Sequence, residues 1–208
     1  LEHEVGDSVA GESYMKVLLE AMRQSSPGPT VEYQFPAIAI PLVARITGVV
    51  EQFEVAQSAA EAVLSSKSVL PLGAEVARAG LGLLAVERRD VSGAQEQYSA
   101  LKSLQGRMVF IGIINGDRLL ALLAQAMDNL DQAVSHFEDA LAFCRKAGYL
   151  PELAWSCCDY ADALGSRNLE GDQAKVIALL DESLTISSEL GMRPLMERVL
   201  SRREILKA

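Results

Sequence analysis

Two stretches decide the fold: Ala94-Gln-Glu-Gln-Tyr98-Ser-Ala-Leu101 and Ala133-Val-Ser-His-Phe137-Glu-Asp-Ala140. Each begins with a small residue, places an aromatic residue four positions on, and ends with an apolar residue three positions later. From Ala94 to Ala133 the step is 39 residues, and the same step backwards reaches Val55, Ala59 and Ala62. A further apolar residue precedes each triplet by nine positions, at Ile46, Ala85 and Ala124. A fixed period of this size indicates stacked supersecondary units, here pairs of helices.

The composition excludes several classes of protein. Of the 208 residues, 50% are hydrophobic and 5% aromatic, which suits close helix packing and argues against disorder. The net charge of −9 argues against direct binding of nucleic acid or of a membrane surface, because both favour a positive field. No apolar run is long enough to span a bilayer, and no signal peptide is visible. Three cysteines do not make a disulfide framework, so we expect a cytoplasmic protein.

The periodicity predicts four helix pairs, a terminal helix at 194–207 and no domain boundary within 35–208. The pairs are expected at 37–64, 75–104, 117–147 and 151–190. Residues 1–34 are interpreted as a helix and linker from a preceding repeat. Because helical phase continues to the last residues, we expect the sequence to be a piece of a longer protein.

Three local signals qualify this prediction. Pro36 and Pro41 are expected to bracket the start of the first pair, since proline disrupts a helix interior. The apolar segment 106–116 would suit a strand but lies between helical units, so it is expected to be a loop or a helix start. Gly148-Tyr-Leu-Pro151 recurs as Gly191-Met-Arg-Pro194, where glycine ends one helix and proline opens the next.

The residues that could carry chemistry favour structural roles. His136 has no second histidine or cysteine at metal-ligand spacing, so a packed or solvent-facing histidine is expected. Cys157 and Cys158 lack the two-residue gap of a redox pair and are expected to pack. Gly80-Leu-Gly82 lacks the third glycine of a nucleotide loop and is interpreted as close packing. The sequence therefore predicts no enzyme, no cofactor and no metal site.

The last helix carries a basic streak. Arg198, Arg202, Arg203 and Lys207 recur along it. A solvated helix face is the expected reading, and docking against a following domain is the alternative.

The small–aromatic–small triplets resemble those of the tetratricopeptide repeat. Leu81-Gly82, Leu120-Ala121 and Cys157-Cys158 occupy the places where that family carries a leucine and a small residue in its first helix. Because the period exceeds the family's usual one, the chain looks more like the long-repeat arrays of large bacterial signalling proteins. Those arrays are attached to nucleotide-cyclase or ATPase domains, or to LuxR-type transcriptional regulators. The resemblance implies an all-α fold, a solenoid of stacked helix hairpins.

The resemblance also implies a concave groove lined by the first helix of each pair. The groove positions carried over from the family are polar in the third and fourth pairs: Asn115, Arg118 and Gln125, then Glu152, Trp155, Asp159 and Asp162. The remaining groove positions are mostly apolar: Ile40, Ala44, Thr47, Val76, Ala79, Leu83, Glu87 and Leu122. Trp155 and Arg118 would be the anchors of binding, although Trp155 packing between repeats is an equal alternative.

The function that follows is a non-catalytic interaction or regulatory module. It would bind a peptide, a protein partner or a small effector in the groove, or contact neighbouring domains of the same polypeptide. A partner carrying both charge signs, such as a peptide, fits Arg118 together with Asp159 and Asp162. The alternative is a structural role in which the chain self-associates as a homodimer and so pairs its attached domains.

Overall fold

The structure, a computed structural model, describes residues 2–109 and 114–206, and most of them are helical. Eleven α-helices cover most of these residues. In chain order they are α1 (Glu2–Val5), α2 (Ser8–Gln24), α3 (Val31–Thr47), α4 (Phe53–Leu64), α5 (Pro71–Arg88), α6 (Val91–Leu101), α7 (Gly116–Ala126), α8 (Leu130–Ala147), α9 (Leu150–Arg167), α10 (Asp172–Glu189) and α11 (Arg193–Ile205). The prediction of an all-α fold is confirmed.

The segment between α6 and α7 is not the loop or helix start that we expected. A 3-10 turn, Lys102–Leu104, is followed by two short strands, β1 (Met108–Val109) and β2 (Ile114–Asn115). They pair antiparallel, with Val109 opposite Ile114, and both of these side chains are fully buried. Burial of β-branched residues explains the strand pairing. The predicted apolar positions at 110–113 lie outside the described residues.

Helices pack in chain order and also against alternate neighbours. Each of α3 to α10 contacts the next helix, and α3 contacts α5, α5 contacts α7, and α7 contacts α9. The last helix, α11, packs on α10 and reaches back to α1 and α3. The first helices of the four predicted pairs, α3, α5, α7 and α9, therefore lie side by side.

The two prolines lie inside α3, so the prediction that they bracket its start is wrong. The helix begins at Val31, and Pro41 removes the N–H that would bond the carbonyl of Ala37. That carbonyl instead faces Gly80 of α5, where a Cβ would lie 2.1 Å from the oxygen. The free carbonyl and the glycine let α3 and α5 approach closely, which confirms the close-packing role of Gly80.

The triplet residues form the core of the middle pairs. Ala94, Ala133 and Phe137 are fully buried, and the Phe137 ring stacks on Tyr160 with centroids 5.3 Å apart. In the first pair the register differs by one position, because Val55 is only partly buried while its neighbour Ala56 is fully buried. The residues of α4 that pack inward are Phe53, Ala56, Ala59, Ala60 and Val63.

The turns that join α5 to α6, α7 to α8 and α9 to α10 share one backbone feature. Arg89, Asp128 and Asn168 all have positive φ, at 54°, 60° and 51°. The left-handed region costs a residue with a Cβ roughly 1–2 kcal/mol, although Asn and Asp tolerate it better than other residues. Their spacing of 39 and 40 residues repeats the period of the triplets.

Most helix boundaries lie within a few residues of their predicted positions. The first pair begins at Val31 rather than 37, and the second at Pro71 rather than 75, with Pro71 at the first helical position. α9 continues through Gly165 to Arg167, which shortens the expected loop. None of the described helices is both long and apolar enough to cross a lipid bilayer.

Candidate binding cleft

Three of the residues predicted to line the groove lie at the starts of α7 and α9: Asn115, Arg118 and Glu152. The side chain of Asn115 caps α7 by accepting a hydrogen bond from the backbone N–H of Arg118 at 3.0 Å. Pro151 opens α9 and Glu152 follows in its first turn. The Glu152 carboxylate accepts a hydrogen bond of 2.7 Å from the backbone N–H of Asn115, which ties the two helix starts together.

Arg118 is the centre of a buried ion-pair cluster rather than an exposed anchor. Its Nη1 donates to Glu152 Oε2 at 2.9 Å, and its Nε donates to Asp159 Oδ2 at 2.8 Å. Arg45 of α3 donates through Nη2 to the other oxygen of Asp159 at 3.0 Å and through Nη1 to Glu87 of α5 at 2.5 Å. The cluster thus joins all four predicted first helices.

The charges of this cluster shift one another's pKa values. Burial raises the pKa of Glu152, and the facing Arg118 guanidinium only partly opposes the rise. Burial would also raise the pKa of Asp159, but the guanidinium groups of Arg45 and Arg118 outweigh burial and hold it below the usual value. The Arg118 pKa is raised, because the two carboxylates outweigh the opposing effect of burial. The charged forms of Asp159 and Arg118 are therefore favoured, whereas burial disfavours the charged form of Glu152.

Trp155 is buried, with only 4% of its surface exposed. The Arg118 and Arg198 guanidinium groups lie 5.6 Å and 5.1 Å from its ring centre. Such contacts are attractive because the ring face is electronegative. The structure thus favours the alternative in which Trp155 packs between helices, and Arg198 of α11 is one of the residues that contact its ring.

The basic streak of α11 docks on this chain, contrary to the expected solvated face. Arg202 makes two hydrogen bonds of 3.0 Å to Asp162, and Arg203 pairs with Asp181 at 3.0 Å. Arg198 also donates to the backbone carbonyl of Arg45. Lys207 lies outside the described residues. Arg198, Arg202 and Arg203 therefore contact α3, α9 and α10 of this chain, a packing that neither expected reading of the streak included.

A cleft of about 540 Å³ opens beside the ion-pair cluster. Its walls come from α3, α5, α7 and α9 and from the turns that follow α5 and α7. The lining includes Arg45, Glu87, Arg89, Leu122, Gln125, Asp128, Asp159, Asp162 and Ser166. Of the predicted polar groove residues, Gln125, Asp159 and Asp162 line the cleft, while Asn115, Arg118, Glu152 and Trp155 are buried and are not part of its lining.

Two charged side chains in the cleft have no ion-pair partner among the described residues. Arg89 and Asp128 are exposed and occupy equivalent turns, one after α5 and one after α7. The other charges of the lining are engaged: Arg45 with Glu87 and Asp159, and Asp162 with Arg202. The cleft therefore offers one free cation and one free anion within the described part of the chain. Arg89 was not among the predicted groove residues, because only helix positions were carried over from the tetratricopeptide family.

The cysteines pack as predicted. Cys144, Cys157 and Cys158 are fully buried and unbonded to one another. Burial raises the pKa of the Cys144 and Cys158 thiols to about 12, and that of Cys157 higher still. The thiols stay protonated at neutral pH and are poor nucleophiles.

Comparison with known protein families, with curated proteins and with solved structures finds no significant match for this chain. The functional inference consequently depends on the residues of the cleft.

Proposed function

We propose that this chain is a non-catalytic helical-repeat scaffold that binds a peptide segment carrying both a basic and an acidic side chain. The observation that carries the proposal is the cleft of about 540 Å³, to which α3, α5, α7 and α9 each contribute residues. A tetratricopeptide-like stack lines its groove with the first helix of every pair, and these are the four helices concerned. The 39-residue period and the contacts between alternate helices support the same arrangement.

The charges of the cleft define the ligand. Arg89 presents a planar fork of donors that suits a carboxylate, and Asp128 presents a carboxylate that suits an amine or a guanidinium. Gln125 lies in the last turn of α7, lines the same cleft and offers both a donor and an acceptor. A peptide with alternating charges satisfies all three groups, whereas nucleic acid would satisfy only Arg89.

The physiological context follows from the resemblance. A scaffold of this kind would report the bound segment to neighbouring domains of a larger cytoplasmic bacterial signalling or transcription-regulating protein. The packing of α11 on α3 and on α9 supports such coupling, because a ligand in the cleft touches the helices that α11 holds.

Fluorescence anisotropy with three labelled ten-residue peptides tests the proposal. One peptide alternates Lys and Glu, one carries only Lys, and one carries only Glu, each spaced by Ala and Ser. We expect the mixed peptide to bind most tightly and the R89Q/D128N double variant to bind it at least tenfold more weakly, since two charge-assisted contacts of roughly 1.5–3 kcal/mol each are removed.

The matched control is R23Q, which removes an exposed arginine of α2 that pairs with Glu20 at 3.4 Å. It should bind the mixed peptide as the wild type does. Equal affinity of R89Q/D128N and wild type, or tightest binding of a single-sign peptide, would contradict the assignment of the cleft.

Self-association is the second candidate function, and one surface supports it. Tyr14 and Val17 of α2 are 65% and 66% exposed and lie three positions apart, on the same face of the helix. A second copy of the chain could cover this apolar face. Sedimentation velocity across a hundredfold range of concentration tests it: Y14S/V17S should abolish any dimer, and a monomer at every concentration excludes this role.

A further inference from the structure

Two carboxylates, one on α7 and one on α8, lie close to a buried histidine of α8. Asp117 lies in the first turn of α7, and His136 and Asp139 lie one turn apart on α8. One donor atom from each of the three lies within 4.8 Å of the other two. Residues three positions apart share a helix face, so His136 and Asp139 point to the same place.

Two polar atoms of this group have no hydrogen-bond partner among the residues that the structure describes. His136 Nδ1 and Asp117 Oδ1 are both buried and unpaired, and they face each other at 3.7 Å. Only 5% of His136 and 1% of Asp117 is exposed. A buried polar atom without a partner costs about 1–3 kcal/mol, which makes two such atoms at one place a feature that needs a cause.

The remaining atoms of the same side chains are held firmly. His136 Nε2 lies 2.8 Å from the Tyr98 hydroxyl, and Asp117 Oδ2 accepts a hydrogen bond of 2.7 Å from the backbone N–H of Gly106. If Nε2–H donates to Tyr98, the lone pair of Nδ1 faces the lone pairs of Asp117 Oδ1. If Nδ1 carries the proton instead, 3.7 Å is too long for a hydrogen bond. Neither neutral tautomer satisfies the pair.

We propose that Asp117, His136 and Asp139 bind a divalent first-row transition-metal ion, with Zn²⁺ the best fit. A cation between Nδ1 and Oδ1 satisfies both lone pairs at once. The Tyr98 hydroxyl then accepts a hydrogen bond from Nε2–H and fixes the tautomer of His136, and the Gly106 N–H orients the Asp117 carboxylate. Metal ligands in proteins are commonly held in place by hydrogen bonds of this kind. Asp139 is exposed and gives the ion a route from solvent.

The donor set selects the ion. One imidazole nitrogen and two carboxylate oxygens suit Zn²⁺, whereas Mg²⁺ and Ca²⁺ prefer oxygen ligands alone. Zinc–ligand bonds of roughly 2.0–2.2 Å place tetrahedral donors about 3.3–3.6 Å apart, so donor atoms within 4.8 Å of one another need to close by up to about 1.4 Å on binding. Three protein ligands leave the fourth position of a tetrahedral ion to water.

The sequence-based expectation of no metal site rested on the lack of a second histidine or cysteine near His136. Asp139 follows His136 by three residues and could have been noticed, but Asp117 precedes it by 19 residues and belongs to another helix. Only the packing of α7 on α8 brings the set together.

Imidazole nitrogen NMR on the EDTA-treated 208-residue chain tests the proposal, because the chain has only two histidines. One equivalent of ZnCl₂ should shift the Nδ1 resonance of His136 and leave His3 unchanged. Isothermal titration with ZnCl₂ should show one site, and CoCl₂ should give visible d–d absorption. An unshifted His136 resonance, or a His136 that stays doubly protonated with zinc present, would overturn the proposal.

Three variants separate the site from adventitious zinc binding. D139N removes an exposed ligand without disturbing the fold and should weaken zinc binding at least about tenfold, and Y98F should weaken it about 10–100-fold through loss of the outer support. D131N is the control, on the same helix with its side chain 87% exposed; it should bind zinc as the wild type does. Equal zinc affinity of D139N and D131N would refute the site.

Discussion

Arg45 on α3 and Asp159 on α9 form an ion pair of 3.0 Å although 114 residues separate them in the chain. The pair links the first predicted helix pair to the fourth. The second oxygen of Asp159 accepts a hydrogen bond from Arg118, so one carboxylate pairs with two guanidinium groups beside the cleft.

Removing the central cation should destabilise the fold. In R118M the carboxylates of Glu152 and Asp159 stay buried but lose their shared partner, and we expect a loss of about 3–5 kcal/mol in the free energy of unfolding by urea. R23M, which removes the exposed pair with Glu20, should cost no more than about 1 kcal/mol. A loss below about 1 kcal/mol for R118M would mean that the cluster is hydrated in solution.

The cluster should also make stability depend on pH. The pKa of Asp159 is lower in the folded protein than its ordinary value of 3.8, so its contribution is present above pH 4 and is lost as the pH falls through the folded pKa. The raised pKa of Glu152 acts in the opposite sense, because protonation relieves its burial. Urea unfolding at pH 5 and pH 3 should show a smaller fall for D159N than for the wild type. The exposed D181N should keep the wild-type fall; identical falls for all three would contradict this origin.

Two glycines inside helices should respond oppositely to alanine. G80A places a Cβ against the Ala37 carbonyl, so α3 and α5 have to separate, and we expect a loss of about 1–3 kcal/mol. A Cβ at Gly165 of α9 meets nothing within 4 Å. G165A should therefore gain about 0.4–1 kcal/mol by lowering the entropy of the unfolded chain. Thermal unfolding of both variants measures the contrast, and a stable G80A would show that α3 and α5 pack less closely.

The triplet of α8 should tolerate neither larger nor smaller side chains. A133L overfills a site with no exposed surface and should cost about 1–3 kcal/mol, and F137A leaves a cavity against Tyr160 and should cost about 3–5 kcal/mol. S135L, on the exposed face of the same helix, should change stability by no more than about 0.5 kcal/mol. Unchanged melting temperatures for A133L and F137A would mean that the register is wrong.

The helices were largely predictable from sequence because their signals are local. Glycine and proline mark the ends of α8 and the start of α9, and the spacing of Ala133 and Phe137 marks the buried face of α8. Pro36 and Pro41 led to a wrong prediction of where α3 begins. The loss of their helix hydrogen bonds is offset by burial against neighbouring helices, which is a tertiary effect. The apolar pattern of the β1–β2 segment suited a strand, but its position between helical units favoured a loop or a helix start instead.

The candidate site was less predictable than the fold. Spacing within α9 placed Trp155 and Asp159 on one face, as the structure has them. It could not show that Arg45 and Arg198, far away in the chain, would meet that face and bury it. Contacts between distant segments depend on how the helix stack curves, and no local pattern encodes that curvature.

The packing of α11 against α3 has a consequence for how the chain unfolds. In a linear array each unit touches only its neighbours, so the ends can fray while the middle persists. Here the C-terminal helix lies on one of the earliest helices, through Arg198 and the Arg45 carbonyl, and the hydrogen bond from Arg193 to Val5 extends the same closure. These contacts join α11 to α1 and α3, so protection from hydrogen exchange in α3 and α11 should be lost together in one cooperative event.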